Sequence, residues 1–231
     1  MNYEENNVSL YRAASFGNYD EVKYILGLKN CKVNFQNEKG NTPLYIAASR
    51  GSMRNLVVIE LLLEHKARVD LKNYELQTPL YVAASWGHID IVNLLIQNNA
   101  DVNAKNYGER TPLHIAAYHN SDDFPAYNRN GLVTIIDTAR RNMGTVLKRY
   151  VNYLPNLDID YMKIWKIANV DDFEEVLDLA IHYTRFGVVA ALVEAGANIN
   201  EVDDGGETPL QKAMHSGHTP MIQFLADNGA I

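Results

Sequence analysis

The chain has a single cysteine, Cys31, in 231 residues. No disulfide can form within it, and a reducing compartment suits it. It also lacks any apolar run near the roughly 18–20 residues that cross a bilayer as a helix. The first residues, MNYEENNVSL, carry no signal-peptide pattern. HExxH, a phosphate-binding P-loop and a GxSxG nucleophile elbow are all missing. The histidines show no metal-ligand spacing with Cys or acids, and Gly205-Gly206 reads as a turn, not a phosphate cradle. The residues therefore nominate no catalytic group, no metal and no cofactor. Positive charge is in short supply: 21 Lys and Arg against 28 Asp and Glu give a net charge of −7. That balance argues against nucleic acid as a general partner of the whole surface.

What the chain has in quantity is recurrence. TPLYIAAS at 42–49 returns as TPLYVAAS at 78–85, TPLHIAAY at 111–118 and TPLQKAMH at 208–215. Thr42, Thr78, Thr111 and Thr208 suit a helix N-cap, where the hydroxyl accepts an unpaired backbone N–H. Pro43, Pro79, Pro112 and Pro209 then stand at the first helical position, which needs no N–H. The leucine that follows points inward, and pairs such as Ala47-Ala48, Ala83-Ala84 and Ala116-Ala117 let a neighbouring helix come close. Gly51, Gly87 and Gly217 end this short helix with positive φ. A second amphipathic helix follows, as in Ile91-Val92 with Leu94-Leu95. Turns of the form Ala67-Arg68-Val69-Asp70, Ala100-Asp101-Val102-Asn103 and Ala197-Asn198-Ile199-Asn200 close the units.

At these residues the chain resembles the ankyrin-repeat family, whose unit is a β-turn plus two antiparallel helices over about 33 residues, marked by T-P-L-H-x-A. The resemblance implies an all-α solenoid: a stack of helix-turn-helix units with β-hairpin loops. With the motif leucine as marker, units begin at Leu10, Leu44, Leu80, Leu113, Leu177 and Leu210. Six units are expected, near 5–36, 37–72, 73–105, 106–160, 161–202 and 203–231, in one domain over 1–231. The first lacks Thr-Pro, and the fifth is degenerate, with Glu175-Val176 in its place. Leu113 and Leu177 stand 64 residues apart, which the spacing explains as a large insertion in the fourth unit, over 120–143. Two diverged repeats over 114–176 are the alternative.

Across 131–154 apolar residues recur at steps of three and four, from Leu132 to Leu154. That pattern predicts a lengthened outer helix, kinked at Gly144 and stopped by Pro155. Charge is uneven here. Between Arg129 and Arg149 five bases face one acid, Asp137, whereas twelve acids face three bases between Asn156 and Glu207. A solvated helix face is the plain explanation. The functional one is an anionic partner docking on Arg140, Arg141, Lys148 and Arg149.

The resemblance also implies a binding surface: the concave face made of hairpin tips and the exposed side of the first helices. Carried over residue by residue, the tip row holds Glu38-Lys39, Tyr74-Glu75, Tyr107-Gly108-Glu109 and Asp204-Gly205. The helix row holds Ser15-Phe16, Ser49-Arg50, Ser85-Trp86, Tyr118-His119 and Ser216. Phe16, Arg50, Tyr74, Trp86, Tyr107, Tyr118 and His119 are the candidate partner-binding residues, since exposed aromatics carry binding energy. The competing account has Trp86 and the tyrosines packing across neighbouring units. Lys212 and Arg12, polar where Ile46, Val82 and Ile115 are apolar, are expected to cover the two ends of a complete solenoid. The expected function is a non-enzymatic protein-interaction module: adaptor, scaffold or inhibitor. The expected state is a cytoplasmic monomer with a protein partner. The abundance of Asn, Lys, Ile and Tyr fits an AT-rich genome, and hence also a secreted effector acting in a host cytosol.

Overall fold

The computed structural model describes residues 3–118 and 185–231. Its helices are α1 (Tyr3–Phe16), α2 (Tyr19–Leu26), α3 (Pro43–Arg50), α4 (Met53–Glu64), α5 (Pro79–Ser85), α6 (Ile89–Gln97) and α7 (Pro112–Ala117). After residue 184 come α8, which the described residues follow over 185–194, then α9 (Pro209–His215) and α10 (Thr219–Asp227).

The Thr-Pro pairs act as their chemistry requires. Each threonine is extended, and its hydroxyl accepts the N–H three residues on: Tyr45 at 3.0 Å, Tyr81 at 3.1 Å, His114 at 3.4 Å and Gln211 at 3.3 Å. Such a cap contributes about 1 kcal/mol. In α7 and α9 the bond is returned: Thr111 N–H donates to His114 Nδ1 at 3.3 Å, and Thr208 N–H to Gln211 Oε1 at 2.7 Å. Gly51 ends α3 at φ +71°, and a Cβ there would lie 2.1 Å from the His88 ring. Both the backbone and the neighbouring imidazole demand glycine at that corner.

The short helices α1, α3, α5, α7 and α9 form one row, each against the next, and α2, α4, α6 and α10 pack back on their inner partners. Leu10, Leu44, Leu80 and Leu113 are sealed in this row, as are the alanine pairs at 13–14, 47–48, 83–84 and 116–117. Alanine lets the inner helices approach closely, while each buried leucine contributes roughly 2 kcal/mol. Phe186 on α8 meets Phe224 on α10 edge to face, with centroids 5.3 Å apart, so α8 continues the outer row.

Between helices the chain makes the same tight loop four times. Asn37, Asn73, Asn106 and Asp203 each accept, through one side-chain oxygen, the N–H groups two and four residues on, at 2.9–3.0 Å. This is the Asx turn that these residue types favour. Successive loops then join tip to tip by one backbone bond: Tyr74 N to Lys39 O at 3.1 Å, Tyr107 N to Glu75 O at 3.0 Å and Asp204 N to Gly108 O at 3.1 Å. The expected β-hairpins are thus tight turns, and no described residue lies in a strand. One bond per junction makes no ladder.

The last of these junctions joins loops far apart in the sequence. The loop at 203–207 rests directly on the loop at 106–110, and α9 rests on α7. His114 Nε2 reaches the Glu207 carbonyl at 3.1 Å, and Arg110 Nε reaches Asp203 at 3.2 Å. The unit expected over 161–202 begins on residues outside those described. The motif leucine of that unit, Leu177, lies outside the described residues, as do the insertion at 120–143 and the helix expected over 131–154.

Candidate functional site

The inner helices run from tip to far end over six to eight residues in α3, α5, α7 and α9. That length is about 10 Å. It separates two rows of candidate residues. Tyr74 and Tyr107 stand at the same position of successive tips and are 67% and 79% exposed. Tyr74 leans on the tip before it: a Cβ on Gly40 would meet its ring at 2.7 Å. Phe16, Arg50, Trp86 and Tyr118 stand at or just past the C-terminal ends of α1, α3, α5 and α7. Phe16 is exposed, and Arg50 donates from Nε to Ser15 Oγ at 3.3 Å. Trp86 is half-buried and packs on the core. Tyr118 is half-buried, with its ring 6.0 Å from Lys212 Nζ. His119 and the basic set Arg140, Arg141, Lys148 and Arg149 lie outside the described residues.

Beneath the tips, side chains tie each unit to the next. Tyr45 Oη donates to Gln77 at 2.6 Å, and Tyr81 Oη accepts from Asn106 at 3.2 Å. The two tyrosines thus do in their units what His114 does in its own. Burial, opposed by Arg110 and aided by Glu75, pushes the Tyr81 hydroxyl up to about 12. Burial likewise lowers the His114 pKa, and the neutral ring suits its bonds: Nδ1 accepts, so Nε2 carries the proton to Glu207 O.

The last tip is ionic. Asp203 is fully enclosed and lies 3.0 Å from Lys212 Nζ and 3.2 Å from Arg110 Nε, while Lys212 also meets Glu207. Burial alone would raise the Asp203 pKa. The Glu207 N–H, Lys212 and Arg110 outweigh it and hold the carboxyl well below its usual range. Lys212 was expected as a polar cover for the end of the stack. It is instead buried, because its ammonium turns toward Asp203 and Glu207. Met214, two residues on, is the exposed side chain, and Arg12 is exposed as expected.

Sequence reasoning missed Leu76. The fourth residue of each Asx loop has positive φ: Gly40 at +75°, Leu76 at +58°, Glu109 at +56° and Gly206 at +75°. The second and third of these carry side chains where the others have glycine, and they are the tips that bear Tyr74 and Tyr107. Leu76 is 42% exposed there. The signal was present as a broken register, Asn-x-x-Gly at 37–40 against Asn-x-x-Leu at 73–76.

Two family models match the chain, both described as ankyrin repeats. One, of three copies, covers residues 10–106; the other, of many copies, covers 177–226. The chain belongs to the ankyrin-repeat family. No curated protein matches it significantly. The helical stack with its capped Thr-Pro helices is the architecture that this family membership implies. Among the described residues, no helix is long and apolar enough to cross a membrane. No group of three or more His, Cys, Asp or Glu among them is placed to hold a metal ion.

Proposed function

We propose that this ankyrin-repeat protein is a non-enzymatic binding module that holds a protein partner on the face carrying both rows. Tyr74 and Tyr107 make the tip row, and Phe16, Arg50, Trp86 and Tyr118 the helix row. The observation that carries this reading is the pair of tyrosines, most of whose surface is open to solvent, at successive tips of a backbone-bonded ladder. Rigid aromatic anchors bind at low ordering cost. The half-burial of Trp86 and Tyr118 shifts the weight of the site toward the tips.

The stack itself reads best as five units, the fourth split by residues 119–184. Asn55, His88 and Arg185 hold equivalent positions at the start of outer helices. They reach Ser15 O, Ser49 O and Ser85 O at 3.4, 3.3 and 2.9 Å. Likewise Asn34, Asp70, Asn103 and Asn200 accept the N–H of Arg68, Asp101, Asn198 and Ile231 in turn. Both ladders support reading α8 as the outer partner of α7.

The test is capture of the partner from lysate by full-length protein, wild type against Tyr74→Ala/Tyr107→Ala. Loss of roughly 10- to 100-fold in affinity is expected for two anchors. Undiminished capture by a folded double variant would overturn the tip site.

A further inference from the structure

We infer that the tips at 74–76 and 107–109 take an extended, cationic segment of the partner, with Lys or Arg side chains laid on Tyr74 and Tyr107. This rests on the protein-binding reading above and gives it a chemistry. The apolar part of the surface is Tyr74, Leu76 and Tyr107, all exposed. The tip of Tyr107 lies between two acids: Tyr107 N bonds Glu75 O at 3.0 Å, and Gly108 O accepts from Asp204 N at 3.1 Å. The Asp204 carboxylate approaches so closely that a Cβ on Gly108 would meet it at 3.4 Å.

Of the nearby cations, Lys39, whose carbonyl accepts from Tyr74 N, is exposed beside the first tip, and the others are held in the loops. Lys72 Nζ donates to Lys105 O, Lys105 pairs with Glu109 and Glu201, and Arg110 pairs with Asp203. Glu75 forms no ion pair among the described residues, and its field reaches the buried hydroxyls of Tyr45 and Tyr81. An exposed ring face beside a carboxylate offers both halves of a guanidinium or ammonium site, the π face and the anion. Glu38, Glu75 and Asp204 outnumber Lys39 along the tips, so an anionic segment would meet net repulsion there.

Spacing adds a requirement. Inner helices stack about 8–10 Å apart, and an extended chain advances roughly 3.3 Å per residue. Successive tips therefore face every third residue of the segment, so cations three residues apart match Tyr74 and Tyr107, with an apolar residue between them near Leu76.

The experiment uses the full chain and two fluorescein-labelled 12-residue peptides. One repeats Arg-Gly-Leu; the other repeats Glu-Gly-Leu. Fluorescence anisotropy should show saturable binding of the first, at least 10-fold tighter than the second, and weakened several-fold between 50 and 300 mM salt, as expected for exposed charges. Glu75→Gln/Asp204→Asn should weaken it at least 5-fold. Glu60→Gln/Glu64→Gln, which removes the same charge from the exposed side of α4, should leave it unchanged. Thermal melts of both variants confirm that each is folded. Equal losses in the two variants would mean attraction to net charge alone and would overturn the inference. So would equal binding of the acidic peptide. If Tyr74→Ala/Tyr107→Ala abolishes partner capture while Glu75→Gln/Asp204→Asn leaves both capture and peptide binding intact, the cationic chemistry fails and the tip site survives. If the tyrosine variant captures the partner fully, the site itself fails.

Discussion

Arg185 Nη1 lies 2.7 Å from the carbonyl oxygen of Tyr118, so the two described residues that flank 119–184 are hydrogen-bonded to each other. The same guanidinium reaches Ile115 O at 3.1 Å and Ser85 O at 2.9 Å. It thus meets the negative ends of both α5 and α7, where a cation is favoured. Residues 118 and 185 are thus held side by side.

The stack should therefore close without residues 119–184. In the preceding unit two residues, Trp86 and Gly87, join Ser85 to His88, the equivalents of Tyr118 and Arg185. A chain with Trp-Gly in place of 119–184 is expected to keep its helical circular dichroism and a single cooperative urea transition. A molten or aggregated product would refute the five-unit reading.

Arg185→Ala removes three charge-assisted bonds to helix-end carbonyls and empties a buried site. Hydrogen bonds to charged groups contribute about 1.5–3 kcal/mol each, and not additively, so urea unfolding should show a loss of at least 2 kcal/mol. Loss of a surface arginine would cost no more than about 0.5 kcal/mol.

Most of the fold could be read before any coordinate, because the unit repeats its own signals. Thr-Pro at 42–43, 78–79, 111–112 and 208–209 marks four helix starts by local chemistry alone. The unit count could not be read the same way. Leu177 matches the motif leucine in period, and period does not reveal which helix stacks on which. That choice rests on non-local bonds such as Asp204 N to Gly108 O and Arg185 to Ser85 O. The candidate site was partly legible. Tyr74 and Tyr107 followed from tip register, whereas the burial of Lys212 depends on Asp203 and Glu207, which the register alone does not bring to it.

Asp203 should give the protein an acid-labile component. Its folded pKa lies below the unfolded value of about 3.9. It therefore adds stability above that value, and this is lost as pH falls toward the folded pKa. His114, whose pKa burial lowers, acts in the same sense below about pH 6.5. Asp203→Asn keeps the Asx turn, as Asn37, Asn73 and Asn106 do, but breaks the pairs to Lys212 and Arg110. It should cost on the order of 1–3 kcal/mol at pH 7 and much less near pH 2–3. Urea midpoints at both pH values check this; a pH-independent difference would remove the ionic account.

Leu80→Ala tests the packing row directly. Leu80 is fully enclosed between neighbouring inner helices, and the cavity should cost about 2–5 kcal/mol. An unchanged melting temperature would refute its place in the register.

Two residues at equal strain should respond differently to the same change. Leu76 and Lys66 both hold positive φ, at +58° and +68°, where glycine is favoured by about 1 kcal/mol. Lys66→Gly sits at the end of α4, away from the tips, and should stabilise the protein by roughly that amount with binding unchanged. Leu76→Gly should stabilise it similarly, yet weaken the cationic peptide and the partner, because it removes the apolar side chain between Tyr74 and Tyr107. On the proposed reading, the strain at Leu76 persists because its side chain meets the partner. Melting temperature and anisotropy on the two variants separate these outcomes. If Leu76→Gly gains stability and loses no affinity, Leu76 has no part in the site.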